Sequence, residues 1–166
     1  PNEGKGYNGG TADAFSALDF AFGQFDLYTP LQLAQYMSTI ANGGTRIAPR
    51  LVKEIHETSP KGGIGNLEDV IPTKIMNTLQ VEKKILDHIK EGLYRVTHGE
   101  NGTSASTFKN YSPEVAGKTG TAEAFYSGPN PAYKNEAVEN STFISYAPYD
   151  NPEIVVSVVA PYFKDG

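Results

Sequence analysis

Leu33, Ala34, Met37, Ile40 and Ala41 recur at helical spacing and form one apolar stripe between polar positions. Thr29 suits the N-cap, Pro30 the first helical position, and Gln32 completes a capping box with Thr29. Asn42-Gly43-Gly44 ends the stripe, because glycine tolerates the left-handed conformation of a helix C-terminus. A second helix is expected from about Val81 to Thr97, with Ile85, Ile89, Leu93 and Val96 on one face and Gly99 as its stop. Extended structure is expected over Arg46 to Ile55, with an irregularity at Pro49, and over Val115 to Phe125. Two more strands, Thr142 to Ala147 and Ile154 to Ala160, flank a hairpin connection at 148–152. Val155, Val156, Val158 and Val159 are apolar on both faces, which predicts a central position for the last strand. Polar and Gly/Pro-rich stretches at 1–14, 58–72, 99–112 and 126–140 read as loops. The order helix, strand, helix, three strands predicts a mixed α/β fold, with a largely antiparallel sheet and helices on its faces.

Composition narrows the function classes. The chain has 166 residues, the size of one domain. A net charge of −5 and the lack of any Lys/Arg run argue against a nucleic-acid partner. There is no cysteine, hence no disulfide or thiolate metal site within the chain. His56, His88 and His98 lack metal-ligand spacing, so neither metal nor cofactor is expected. No stretch approaches the ~18 apolar residues of a membrane span. The first residue is Pro1, which raises the expectation of a processed or excised piece.

Gly117-Lys118-Thr119-Gly120-Thr121-Ala122 carries the candidate chemistry. A phosphate loop would need glycine five positions before the Gly-Lys pair, where Ser112 stands, and a helix after the lysine, where no helical pattern follows. The better fit is the Lys-Thr-Gly motif of serine acyl-transferring enzymes that bind penicillin. Lys118 would set a positive charge beside a serine nucleophile and a substrate carboxylate. Thr119 would hydrogen-bond that carboxylate. Gly120 would let the backbone approach the substrate, and the Thr121 N–H would donate into an oxyanion hole. Taken alone the triplet is weak, since it occurs by chance in roughly one such chain in ten.

The wider frame is more specific. Phe22-Gly23-Gln24-Phe25-Asp26-Leu27-Tyr28-Thr29-Pro30-Leu31-Gln32-Leu33-Ala34-Gln35-Tyr36, Ile40-Ala41-Asn42-Gly43-Gly44-Thr45-Arg46, Ala48-Pro49-Arg50, Gly117 to Glu123 and Tyr146-Ala147-Pro148 follow in one order. Together they resemble the class B penicillin-binding proteins, most closely the 2B type, over nearly all of 21–160. The resemblance implies a helix-flanked mixed sheet and a DD-transpeptidase working at the outer face of the bacterial membrane. Such an enzyme acylates its serine with a stem peptide ending in D-Ala-D-Ala, then passes the acyl group to an amine of a second stem peptide. β-Lactams acylate the same serine. The implied parent is membrane-anchored and part of a wall-synthesis complex.

The chain also departs from the family. It has no Ser-x-Asn, and its one Ser-x-x-Lys, Ser106-Thr107-Phe108-Lys109, lies in a polar loop just before the Lys-Thr-Gly strand, far from where a nucleophile belongs. The family's final helix is missing. The expectation is therefore the C-terminal part of one transpeptidase domain, 1–166, inactive alone, with its nucleophile in a missing N-terminal half. Gln24, Tyr126 and Tyr133 are candidates to line the substrate cleft. A DD-carboxypeptidase, β-lactam sensor or β-lactamase of the same fold remains an alternative, as does an inert scaffold that kept the fold.

Overall fold

The computed structural model describes residues 27–163. Helix α1 (Pro30–Ala41) has the capping box that its sequence predicts. The Thr29 side chain accepts from the Gln32 N–H at 3.2 Å, and the Gln32 side chain accepts from the Thr29 N–H at 2.8 Å. Thr29→Ala removes the first of these bonds, worth ~1 kcal/mol at an N-cap. We expect hydrogen exchange of the first-turn amides to quicken about fivefold in the parent protein. Unchanged exchange at Gln32 would show that the cap contributes nothing. At the other end Gly43 and Gly44 take φ values of +84° and +103°, which is why glycine stands there.

The single strand expected over Arg46 to Ile55 is instead two, β1 (Thr45–Ile47) and β2 (Glu54–Thr58). Residues 48–53 between them run beside 71–74, with Ala48 N donating to Lys74 O at 2.8 Å and Ile71 N to Lys53 O at 3.0 Å. Pro49 has no N–H for a ladder, which is the physical reason for the break. The expected loop at 58–72 contains a strand, β3 (Ile64–Val70), paired antiparallel with β2. Its turn is made by Gly62 and Gly63, both at positive φ. A further strand, β4 (Ile75–Thr78), pairs with β1.

Helix α2 (Lys83–His98) ends at Gly99 as expected. Its buried positions are Leu86 and Thr97, whereas Ile85 and Ile89 of the predicted face are exposed. The loop expected at 99–112 includes a short helix, α3 (Ala105–Phe108). Three antiparallel strands follow: β5 (Ala116–Phe125), β6 (Ala137–Ala147) and β7 (Ile154–Phe163), in the spatial order β5-β6-β7. β6 starts earlier than predicted, so the 126–140 loop is shorter. The central strand is β6. β7 stands at the edge among the described residues, contrary to the expectation, and Val156 and Val158 are 45% and 52% exposed there.

All pairings among the described residues are antiparallel. The core lies where α1 meets the sheet. Met37 and Ala41 pack with Ala116 and Tyr146, and Leu93, Tyr94, Ile144, Tyr149 and Val155 surround them. Two polar ties close this layer. Lys90 Nζ donates to Ala41 O at 2.7 Å, a cation on the carbonyl end of α1. Thr97, fully buried, donates to Val115 O at 2.6 Å and so fixes the end of α2 to the start of β5.

Candidate active site

Lys118, Thr119, Gly120 and Thr121 lie in the middle of β5, opposite Ile144, Phe143, Thr142 and Ser141 of β6. Side chains alternate along a strand. Lys118 and Gly120 therefore share the face of Ile144 and Tyr146, the α1-packed face. Gly117, Thr119 and Thr121 share the opposite face with Phe143 and Ser145.

Backbone direction alternates too. Tyr126 N donates to Glu136 O at 2.9 Å, and Glu114 O accepts from Tyr149 N at 3.0 Å, so even-numbered residues at both ends of β5 turn their polar groups toward β6. By the same period the N–H and C=O of Thr119 and Thr121 point to the open edge of β5, which has no other strand beside it among the described residues. Lys118 reaches around to that edge, where its Nζ donates to Thr119 O at 2.7 Å. The result is an ammonium, a hydroxyl and a backbone N–H at one strand edge, all exposed or half-buried.

Two glycines of the segment are closely approached. A Cβ on Gly120 would collide with Thr142 Oγ1, whose hydroxyl donates to Gly120 O at 3.2 Å. A Cβ on Gly117 would lie 2.7 Å from the Phe143 ring and 2.8 Å from Ile144 O.

The Thr119 face has a partner that the sequence does not reveal. Thr103, just before α3, places its Oγ1 3.0 Å from Thr119 Oγ1. Beside it Phe108 of α3 stacks on Phe143 at 5.2 Å between centroids, 9° from parallel. In sequence Thr103 is part of Asn101-Gly102-Thr103, which reads only as a common glycosylation pattern.

The other candidates are placed as follows. Tyr126 follows β5 directly, and its hydroxyl accepts from Asn130 N at 3.2 Å. Its ring meets Tyr133 edge-on at 5.9 Å and Tyr162 at 4.7 Å, so it ties down the 127–136 loop. Ser106 is an exposed residue of α3. Gln24 lies outside the described residues.

Residues 1–164 match the transpeptidase family, described as the penicillin binding protein transpeptidase domain. The chain is 44% identical over 162 residues to penicillin-binding protein 2A of Bacillus subtilis, covering 98% of this chain and 22% of that protein. It is 39% identical to penicillin-binding protein 2B of Streptococcus pneumoniae, covering 98% of this chain and 23% of that protein. It superposes on a solved structure of the Streptococcus pneumoniae 2B protein with a TM-score of 0.80 and 37% identity, over 98% of this chain and 26% of that one. At 35% identity it also matches the peptidoglycan D,D-transpeptidase MrdA of Haemophilus influenzae, over 79% of this chain and 20% of that protein. The chain thus spans about a quarter or less of the relatives it matches, and the likeness to 2B-type proteins read from its motifs holds. On this match the chain belongs to the penicillin-binding protein transpeptidase domain family.

Proposed function

We propose that this chain is the C-terminal part of a serine DD-transpeptidase domain, and that the edge of β5 is its share of the active site. The observation that supports this most directly is the convergence of Lys118, the Thr119 hydroxyl and the outward Thr121 N–H within the family's frame. In this reading a serine from the rest of the domain attacks the carbonyl between the two D-alanines of a stem peptide. The terminal D-alanine leaves with a proton, and an ester forms. An amine of a second stem peptide then attacks the ester, forms the cross-link and returns the proton to the serine. Lys118 supplies positive charge beside the serine and the substrate carboxylate, Thr119 donates to that carboxylate, and Thr121 N–H stabilises the oxyanion. Gly120 leaves room for the substrate backbone. Tyr126 borders the cleft. β-Lactams, whose carboxylate takes the same place, acylate the same serine.

The nucleophile comes from outside the chain. Ser-x-Asn is absent, and Ser106 sits exposed on a four-residue helix, where nothing among the described residues shields or activates it. The apolar surface is consistent with a missing half: Ile85 and Ile89 of α2 and Val156 and Val158 of β7 are all uncovered among the described residues. The parent would be anchored at the outer face of the bacterial membrane within a wall-synthesis complex. Among the described residues no helix is long and apolar enough to cross a membrane. Transfer to an amine, rather than to water, is favoured by relatives that carry the transpeptidase name.

Intact-mass spectrometry after incubation with benzylpenicillin tests this reading. The isolated chain is expected to stay unmodified, while the parent protein gains one penicilloyl group on a serine upstream of Pro1. A stoichiometric adduct on Ser106 of the isolated chain, or no adduct on the parent, would overturn it.

A further inference from the structure

We infer that Thr103 is a positioning residue for the substrate carboxylate, acting by donating its hydroxyl proton to Thr119 Oγ1. The inference rests on the proposed role of Thr119 and deepens it. A threonine hydroxyl has one proton to donate and two lone pairs. Alone at a strand edge, the Thr119 hydroxyl is free to rotate, and its proton finds water or a nearby carbonyl. With Thr103 Oγ1 at 3.0 Å, one bond must form between the two oxygens. A carboxylate arriving at Thr119 accepts only, so it takes the Thr119 proton. Thr103 must then be the donor of the pair. The Thr119 oxygen, polarised from one side, becomes a better donor on the other.

Thr103 is held where this needs it. Gly102 lies so close to Arg95 O and Val96 O that no Cβ fits. Its N–H donates to Gly99 O, and Ser104 N donates to Val96 O, each at 3.0 Å. These bonds fold residues 99–104 back onto the end of α2, and Thr97 fixes that end to β5 through Val115 O. On the far side Phe108 clamps α3 onto Phe143, the cross-strand partner of Thr119. Thr103 and Thr119 are thus held from both sides of the same sheet face, which limits how far the two hydroxyls can drift apart.

The experiment is a double-mutant cycle in the full-length parent, read as the second-order rate of acylation by benzylpenicillin. Thr103→Val keeps the side-chain shape and removes the donor. It is expected to slow acylation by up to about tenfold, the upper end of what loss of a hydrogen bond between neutral groups does. Thr103→Ser is expected to restore most of the rate. In a Thr119→Val background, Thr103→Val should change nothing further, because the hydroxyl it serves is gone. Equal slowing in both backgrounds would mean that Thr103 is merely structural, and the inference falls. It falls equally if Thr103→Val leaves the rate unchanged. If Thr119→Val itself leaves the rate unchanged while Lys118→Ala abolishes acylation, the transpeptidase reading survives and the carboxylate relay does not. A parent that is not acylated at all removes both.

Discussion

Lys118→Ala in the parent protein is expected to lower the rate of penicillin acylation by about a thousandfold, the scale on which fixed charges and proton-handling groups act in such sites. The size of the effect follows from how few groups can replace this one. The Lys118 side chain is exposed on β5, and among the described residues its Nζ bonds only a backbone oxygen, that of Thr119. None of the ion pairs among the described residues involves it. A lysine held at a strand edge without an acidic partner leaves its charge available to a ligand. Lys118 is the only cation on β5. Lys118→Arg is expected to fare little better, because a planar fork does not fill the place of a compact ammonium. Folding is expected to be unaffected, since an exposed strand position away from the core rarely costs more than ~0.5 kcal/mol. A Lys118→Ala parent acylated within a few-fold of wild type, with an unchanged melting temperature, would remove Lys118 from the proposed machinery.

The parts of this fold that were legible in the sequence are those specified locally. Helix α1 carries its own cap, proline and glycine stop, and β5 carries a run of small residues around a motif. Neither needs knowledge of the rest of the chain. Strand β3 was not legible because six of its seven residues are exposed and only Gly65 is half-buried. A strand wet on both faces shows no alternation to read. Strand β7 failed in the opposite sense. Its valines describe burial on both faces, yet among the described residues one edge and one face are bare. On the proposed reading the sequence of β7 records an environment that the rest of the domain completes. Thr103 could not be found at all from spacing. Its meaning depends on a loop folding back over a strand sixteen residues later, and only the Gly102 contact with the end of α2 explains why that loop turns where it does.

The two glycines of Gly117-Lys118-Thr119-Gly120 should separate stability from activity. Gly117 is buried and faces Phe143 and Ser145. A methyl group there meets the Phe143 ring at 2.7 Å and the Ile144 carbonyl at 2.8 Å. The carbonyl belongs to the central strand and cannot move without disturbing the ladder. The ring cannot retreat outward, because Phe108 is stacked on it at 5.2 Å. Gly117→Ala is therefore an overpacking change, expected to cost ~1–3 kcal/mol and to lower the melting temperature of the parent. The fraction that remains folded should still be acylated at close to the normal rate. Gly120→Ala meets something softer, the hydroxyl of Thr142, which can rotate away at the loss of one bond to Gly120 O. Its stability cost is expected to stay near ~1 kcal/mol. On the proposed reading its methyl group stands where the substrate backbone must come close, so acylation by benzylpenicillin should fall about a hundredfold, as misplacement by an ångström does. Thermal melts and acylation rates measured on both variants test the pair. Should Gly120→Ala lose stability and activity in the same proportion as Gly117→Ala, the second glycine is serving the sheet and not the substrate.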